Sequence, residues 1–376
     1  KRLYQQKIQV IPAQRSIKNQ VKWRLLISLI LLVPATLVSQ ETMQESDSIL
    51  PQFSEYIDDH KKQLNIKFEV SNDINEFSVE DEGTSLTLKP NLNLRYAFVF
   101  SYKFLSFRLG IRPNTSKEDR ENKGESDTYR FRIQLLFDNW SHLIQYDYDR
   151  GYYIDNTSAI LTGAEPVRIQ LPYMTTNIFF GTSVYKWNEN YSIRAIESQT
   201  ERQTKRAGTF VLGATYNVYK LVGLDRILFP GEEIQQRDPY NEYYGVSLAA
   251  TGGYYYTYVV KKNWFINGFA LPSAGIDIHQ SKRTTGGLEK TRHGQDFFTS
   301  VDYGAGIGFN GTKFFFGGEI KNRWTNEKFN EDKINIQPLK NTWSVYFGYR
   351  FRAPKTFSKP VDLIEDKVPI LKDDHS

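Results

Sequence analysis

"DTYRFRIQLLFD", Asp127–Asp138, sets two arginines among large apolar side chains. On a strand, successive side chains point to opposite faces. Tyr129, Phe131, Ile133, Leu135 and Phe137 then share one face, and Thr128, Arg130, Arg132, Gln134 and Leu136 share the other. A soluble core would reject the arginines, and a soluble surface would not carry a row of aromatics. A wall with lipid on one side and a wet lumen on the other accepts both, with Asp127 and Asp138 at its wet ends.

The same period-two alternation runs along the chain from Gln63 onwards, and helical periodicity does not. Leu64, Ile66, Phe68 and Val70 alternate with Asn65, Lys67 and Glu69; Leu94, Tyr96, Phe98, Phe100 and Tyr102 alternate with Asn93, Arg95, Ala97, Val99 and Ser101. Near the end, Trp343, Val345, Phe347, Tyr349 and Phe351 alternate with Ser344, Tyr346, Gly348, Arg350 and Arg352. Many runs exceed the ~5–6 residues of soluble strands and reach the ~9–11 that tilted strands need to cross a bilayer. Backbone polar groups in lipid must all be bonded, and strands achieve that by closing into a barrel. The pattern therefore predicts an all-β fold, an antiparallel transmembrane barrel of the outer-membrane type.

Thirteen candidate strands stand near 63–71, 84–102, 105–113, 127–138, 142–153, 174–187, 190–202, 206–220, 242–260, 263–280, 295–309, 312–327 and 339–352. Short connections at 103–104, 139–140, 188–190, 261–263 and 310–312 read as periplasmic turns. Long polar ones at 113–126, 155–173, 281–294 and 328–338 read as external loops. Both ends of such a barrel lie in the periplasm, so the count must be even, and the short-turn rule clashes at 221–241. Either one candidate does not span, or 221–241 crosses or re-enters the lumen. We expect 12 strands, with 14 as the alternative.

Upstream, Lys22–Gln40 runs from a basic start through an apolar stretch to small residues, the order of a secretory signal peptide. Residues 1–20 precede it without an initiating Met, which suggests an over-extended reading frame with Val21 at an alternative start codon; a genuine long basic n-region is the other reading. Residues 1–40 carry seven Lys/Arg and no acid, so without them the 48 basic residues fall to 41 against 43 acidic. The net charge of +5 thus belongs to the leader and gives no argument for nucleic-acid binding. The absence of Cys excludes disulfides, thiolate metal sites and a cysteine nucleophile. The expected organisation is an extension plus signal over 1–40, a periplasmic lead-in over 41–61, a barrel over 62–352 and a charged periplasmic tail over 353–376. It places the protein in a Gram-negative outer membrane, exported through the general secretory pathway. The partners are then membrane lipid, lipopolysaccharide and the barrel-assembly machinery, with no nucleic acid.

"FRLGIRP" (107–113), "LIQYDYDRGYYID" (143–155), "TTNIFFGTSVYKWNENYSIRAI" (175–196) and "QTERQTKRAGTFVLGATY" (199–216) resemble the Bacteroidetes envelope family catalogued as domain of unknown function 4421. The resemblance extends from about Glu55 to Arg352. It implies an outer-membrane barrel and no particular activity, so it carries no functional residues.

Alternation turns Lys67, Glu69, Arg95, Arg108, Arg112, Arg130, Arg132, Asp147, Asp149, Arg194, Glu319 and Arg350 toward the lumen. Asp147 and Asp149 follow Arg130 and Arg132 on the next strand, which suits ion pairs across a hairpin. We read Arg95, Arg108, Arg130, Arg132, Asp147, Asp149, Arg194, Glu319 and Arg350 as a lumen charge network that packs a narrow barrel. A ligand pocket or polar pore is the sharper alternative. His60, His142, His279, His293 and His375 are scattered and read as surface or turn residues. "GIGFNG" (306–311) fits a dinucleotide fingerprint on paper, but "TKFFFGGEI" continues as a strand where that motif needs a helix. "QTERQTKRAG" (199–208) reads as a solvated hairpin tip, with lipopolysaccharide phosphate as its sharper ligand. No catalytic residue, metal or cofactor is expected. The function reading is a non-enzymatic envelope barrel (narrow pore, ligand-binding or structural), and the alternative is a lipid hydrolase with a Ser/His/carboxylate group at the outer rim.

Overall fold

The computed structural model describes residues 52–367 apart from 54, 82–83, 112, 157–167, 224–239, 286–287, 327–328 and 332–333. The leader, Arg112, most of 221–241 and the end of the tail lie outside the described residues. Twelve strands form the wall: β1 Gln63–Ser71, β2 Arg95–Tyr102, β3 Leu105–Ile111, β4 Asp127–Leu136, β5 Trp140–Ile154, β6 Gln170–Lys186, β7 Ala207–Val222, β8 Tyr240–Val260, β9 Trp264–Thr285, β10 Leu288–Asn310, β11 Phe314–Thr325 and β12 Ile334–Arg352. Each pairs antiparallel with the next, and β12 closes the ring on β1 from Ser344↔Ser71 to Arg352↔Gln63. The helices are α1 Lys117–Lys123, α2 Arg194–Glu197 and α3 Lys355–Lys367. Among the described residues no helix is long and apolar enough to cross a membrane, so any crossing is made by strands.

The wall is closed, antiparallel and apolar on the outside. Phe210, Leu212, Leu248, Ile278, Phe297, Ile307, Val345 and Phe347 all stand exposed on the outer surface. The inner alternates, such as Ser247, Thr251, Ser273, Asp277 and Arg350, are buried. That is a soluble protein turned inside out, the arrangement that a hydrocarbon surround stabilises.

The wall is uneven in height. β1 to β4 have 7–10 residues, whereas β8, β9 and β10 have 21, 22 and 23. Above the short side a hairpin fills the gap. Its first arm, Glu76–Asp81, pairs with the top of β12, and its second, Thr84–Pro90, pairs with the top of β5. The run expected as one strand over 84–102 is therefore split at Asn91–Leu94 into a hairpin arm and β2. Pro90 and the polar turn after it end the first piece. Phe77, Leu86 and Leu88 of the hairpin pack inward on Tyr152, Ile154, Leu171, Met174, Tyr219, Leu221 and Tyr243, an apolar core within the outer end of the barrel. Gly151 lets β5 supply that core. Its φ of +81° suits only glycine, and an added Cβ would lie 2.1 Å from the Glu125 carbonyl oxygen. The irregularity shifts the alternation by one, from lumenal Asp147 and Asp149 to core Tyr152 and Ile154.

The candidate strand at 190–202 does not span. β6 ends at Lys186 and β7 starts at Ala207, and the chain between them folds into the base of the lumen as a plug. It forms α2 and a short strand, Glu201–Gln203, that pairs with Ile57–Asp59 of the lead-in; Gln52–Phe53 completes a three-stranded sheet. Counting 190–202 as a strand reversed the parity of everything after it, which produced the apparent clash at 221–241. The neighbouring ends of β7 and β8 pair directly, Val222 with Glu242. "QTERQTKRAG" is correspondingly no solvated tip over its first half, since Gln199 to Gln203 are buried. The expected external loop at 281–294 is mostly strand. β9 and β10 stay paired up to Thr285↔Leu288. Apart from Leu288 and the glycines, its sequence is polar at both alternating sets of positions. The segment read as a charged tail contains α3, packed outside the base, with Phe357 against Tyr102 and Phe107 and with Val361 buried.

Candidate functional site

The charged residues gather on the short side of the barrel around a segment that alternation missed. Because β1 stops at Ser71 and the hairpin starts at Glu76, residues 72–75 turn into the lumen. Arg130 donates from Nε to Asp147 Oδ1 at 2.6 Å, from Nη2 to Asn75 Oδ1 at 3.0 Å, and pairs with the Asp73 carboxylate. Arg95 donates to the Asp73 carbonyl at 3.1 Å and lies 3.8 Å from Asp149. Asn75 donates to Asp149 at 2.7 Å. Arg132 donates to Gln145 Oε1 at 2.8 Å and stands 3.5 Å from Asp73. Arg108 grips Glu69 through Nε and Nη2, at 3.1 and 2.7 Å. The break of alternation in "SNDIN" after Val70 was the signal that could have marked this segment.

The remaining network residues sit elsewhere. Glu319 accepts from Ser344 at 3.2 Å and pairs with Lys321 at 3.1 Å on β11, two strands round the ring from β1. Arg194 belongs to the plug, and Arg350 on β12 reaches it. Arg194 donates to the Leu136 carbonyl at 2.9 and 2.7 Å, to Asp138 at 2.8 Å and to Glu201 at 2.9 Å. Arg350 donates to Asn310 Oδ1 and the Gln199 carbonyl, both at 2.6 Å, and to the Gly311 carbonyl. Arg202 joins Asp58 to Asn263 Oδ1. Three guanidinium groups thus tie the plug to three separate turns of the base.

Burial pushes the Glu201 carboxyl up, but Arg194, Lys61 and the Ser192 hydroxyl outweigh it and hold the group below the ordinary carboxylate range. Asp138 is likewise lowered, since Arg194 and Lys61 outweigh the effect of burial. His60 is buried in the plug, and neither ring nitrogen has a hydrogen-bond partner among the described residues. Burial, with Arg350 and Arg202 close by, pulls its pKa down to about 3. The ring is neutral at physiological pH.

Between plug and rim lies a lumenal cavity of about 170 Å³. Ile193 and Glu197 of the plug contribute to its lining. One wall is charged: Glu69, Asp73, Arg132, Asp302, Glu319, Lys321, Arg323 and Lys340. The other carries Leu143, Phe180, Val184, Tyr255, Phe269 and Leu271 with Thr182, Thr215 and Thr251. Here β6 turns an apolar face inward, Ile178, Phe180 and Val184, opposite in sense to most of the wall. The threonines form a chain of hydroxyl contacts, Thr182 to Thr215 at 3.2 Å, Thr215 to Thr251 at 2.8 Å and Thr251 to Ser273 at 2.8 Å. Arg323 forks onto Asp302 with two bonds of 2.7 Å and lies over the Phe180 ring, 4.9 Å from its centroid. Lys340 approaches the same ring at 5.6 Å.

Two histidine pairs bear on the hydrolase alternative. His142 Nδ1 lies 2.9 Å from Ser183 Oγ on the outer surface, stacked beside Trp140; no described carboxylate bonds to this ring. Asp277 and His279 are paired at 3.0 Å on the inner face of β9, and Ser281 follows two residues later. The spacing Asp277-x-His279-x-Ser281 is the sequence signal that marks this group. Tyr219 donates to both oxygens of Asp277 at 2.9 and 2.8 Å, and Tyr243 stacks on His279 at 5.3 Å. All five side chains are buried. Neither His60 nor His279 is the surface residue expected. Among the described residues no three His, Cys, Asp or Glu side chains group as a metal site.

A family model described as "Domain of unknown function (DUF4421)" matches residues 45–351. No curated protein matches the chain. Among solved structures, the outer membrane protease OmpT from Escherichia coli is 7% identical, with a TM-score of 0.39 over 77% of this chain and 97% of that one. The β domain of the Bordetella autotransporter BrkA is 11% identical, with a TM-score of 0.32 over 77% and 98%.

Proposed function

The chain belongs to the family described as Domain of unknown function (DUF4421), and from that premise we propose that it is a non-enzymatic outer-membrane barrel that binds within its lumen rather than conducting through it. The observation that carries this reading is the plug. A segment of the barrel's own chain fills the base, and Arg194, Arg202 and Arg350 hold it to three turns. A hydrogen bond to a charged group contributes about 1.5–3 kcal/mol, so three guanidinium ties oppose spontaneous opening. The space left above the plug is a chamber lined by opposed charged and apolar walls, the composition of a binding site. In this reading the outward aromatics face membrane lipid and lipopolysaccharide, and the leader exports the chain.

The hydrolase alternative needs a Ser, a His and a carboxylate converging at an open rim. His142 and Ser183 lack the carboxylate among the described residues, and Asp277 and His279 are packed under Tyr219 and Tyr243. Both facts favour the non-enzymatic reading. Planar-bilayer recording of the refolded protein tests it. The wild type is expected to be silent at neutral pH, and the double variant Arg194→Ala, Arg202→Ala is expected to give intermittent openings. Steady current through the wild type would overturn the proposal.

A further inference from the structure

We propose that the lumenal chamber takes a small monocarboxylic acid with an apolar body, about the size of benzoate, and that Lys340 binds its carboxylate. The inference rests on the binding-chamber reading above and names its ligand class.

Charge pairing singles out Lys340. Arg132 is matched by Asp73 and Gln145, Lys321 by Glu197 and Glu319, and Arg323 by both oxygens of Asp302. Lys340 lies against the face of Phe180; Asp73 attracts it from beyond ion-pair distance, and among the described residues no carboxylate forms an ion pair with it. An ammonium taken out of bulk water without a counter-ion is costly, and a ligand carboxylate placed there would restore the pairing. One unmatched cation calls for one negative charge. A dianion such as phosphate would bring a second charge with no counterpart, next to Glu319 and Asp302. A cationic ligand would leave Lys340 as it is.

The far wall sets the rest of the ligand. Leu143, Tyr255, Phe269 and Leu271 are apolar or aromatic there. The threonine hydroxyls between them already bond to one another. This wall asks for no polar partner and suits a hydrocarbon body. The volume bounds its size: a cavity of roughly 150 Å³ lined by apolar side chains accommodates benzene, and this chamber is about 170 Å³. A ring with one carboxylate fits within that volume, whereas an acyl chain of lipid length or an oligosaccharide would extend beyond it.

Isothermal titration of the full refolded chain in detergent micelles tests the assignment, with sodium benzoate and its neutral counterpart benzamide as probes. Benzoate is expected to bind one saturable site at pH 7, and benzamide at least 10-fold more weakly. Lys340→Met is expected to weaken benzoate at least 10-fold and to leave benzamide unchanged, while Lys340→Arg retains benzoate. Heat-modifiable gel migration shows whether each variant is folded. If Lys340→Met does not fold, the wild-type contrast between benzoate and benzamide decides, together with Leu143→Trp, which fills the chamber and is expected to abolish binding. Equal affinity for the two probes, no benzoate binding, or full binding by a folded Lys340→Met overturns the proposal. A silent bilayer with no benzoate binding removes this inference and leaves the closed barrel standing; wild-type conductance removes the reading beneath it.

Discussion

Arg130 shows how one side chain can be both essential and legible only in part. Its strand position turns it inward, and the next strand supplies Asp147 directly opposite. Its other acidic partner, Asp73, comes from 57 residues upstream. Arg130→Leu would leave Asp73 and Asp147 buried without their main counter-charge, a loss of about 3–5 kcal/mol. Phe131→Arg, on the adjoining outer face, is expected to cost about 2–4 kcal/mol near the bilayer midplane. Urea unfolding in detergent, followed by tryptophan fluorescence, measures the first. The second appears only after refolding into lipid vesicles, since micelles tolerate an exposed charge. If Arg130→Leu were neutral in both, the inward network would be expendable. Gly151→Ala is expected to be as severe as either, because the Glu125 carbonyl already occupies the place of the new methyl group.

The plug is where local pattern and tertiary structure part. Residues 190–202 combine Tyr191, Ile193, Ala195 and short polar residues, a sequence compatible with a strand. The segment nevertheless finds more partners inside the barrel than beside it, through Leu136, Asp138, Asn263, Asn310 and Asp58. Its titratable groups give it a pH dependence. His60 is held neutral, so its contribution is intact above the free imidazole value of about 6.5 and declines as pH falls from there toward 3. Glu201 and Asp138 have lowered pKa values, so theirs is intact above the ordinary carboxylate range of about 4 and is lost as pH falls through their depressed values. Bilayers silent at pH 7 are therefore expected to show openings as pH falls toward 4, and His60→Gln should remove the part of that change between pH 6.5 and 4.5. Conductance independent of pH would contradict this account. Helix α3 depends on a different charge. Burial pulls the Lys103 ammonium down, but hydrogen bonds to Asp362 and Glu365 outweigh it and raise its pKa. Lys103→Ala is expected to free α3 for proteolysis while the barrel stays resistant, which limited digestion and mass spectrometry would read.

The assembled barrel follows one rule, apolar outside and polar within, and breaks it twice on the inside. At the rim, Phe77, Leu86 and Leu88 build an apolar core between the hairpin and the tall strands. Midway down, Phe180 and its neighbours face the charged wall. Because each wall strand is paired with both of its neighbours in the closed ring, unfolding requires the wall to open as a unit. The folded protein is expected to migrate faster on gels unheated than boiled, and heat-insensitive migration would contradict the barrel. The outward pattern of β1, β2, β4 and β12 was readable because it is decided strand by strand: a side chain's neighbour in sequence must face the other way, and lipid rewards the same choice on each strand. The count of 12 and the closing register of β12 on β1 were constrained only by parity, since a ring closes between residues some 280 positions apart.

Period-two alternation with outward aromatics was enough to establish a membrane-type β-barrel, the inward direction of Arg130 and Arg132, and the turns at Lys103–Phe104 and 261–263. Those features depend on contacts within a strand or across one tight turn. The inward course of Asp73 and Asn75, the folding of 190–202 into a plug, the shift of face at Gly151 and the want of an ion pair at Lys340 among the described residues were decided in three dimensions. Each depends on hydrogen bonds or ion pairs between groups far apart along the chain, or on the absence of one. Such pairing is chosen by which side chains a closed wall brings face to face across the lumen.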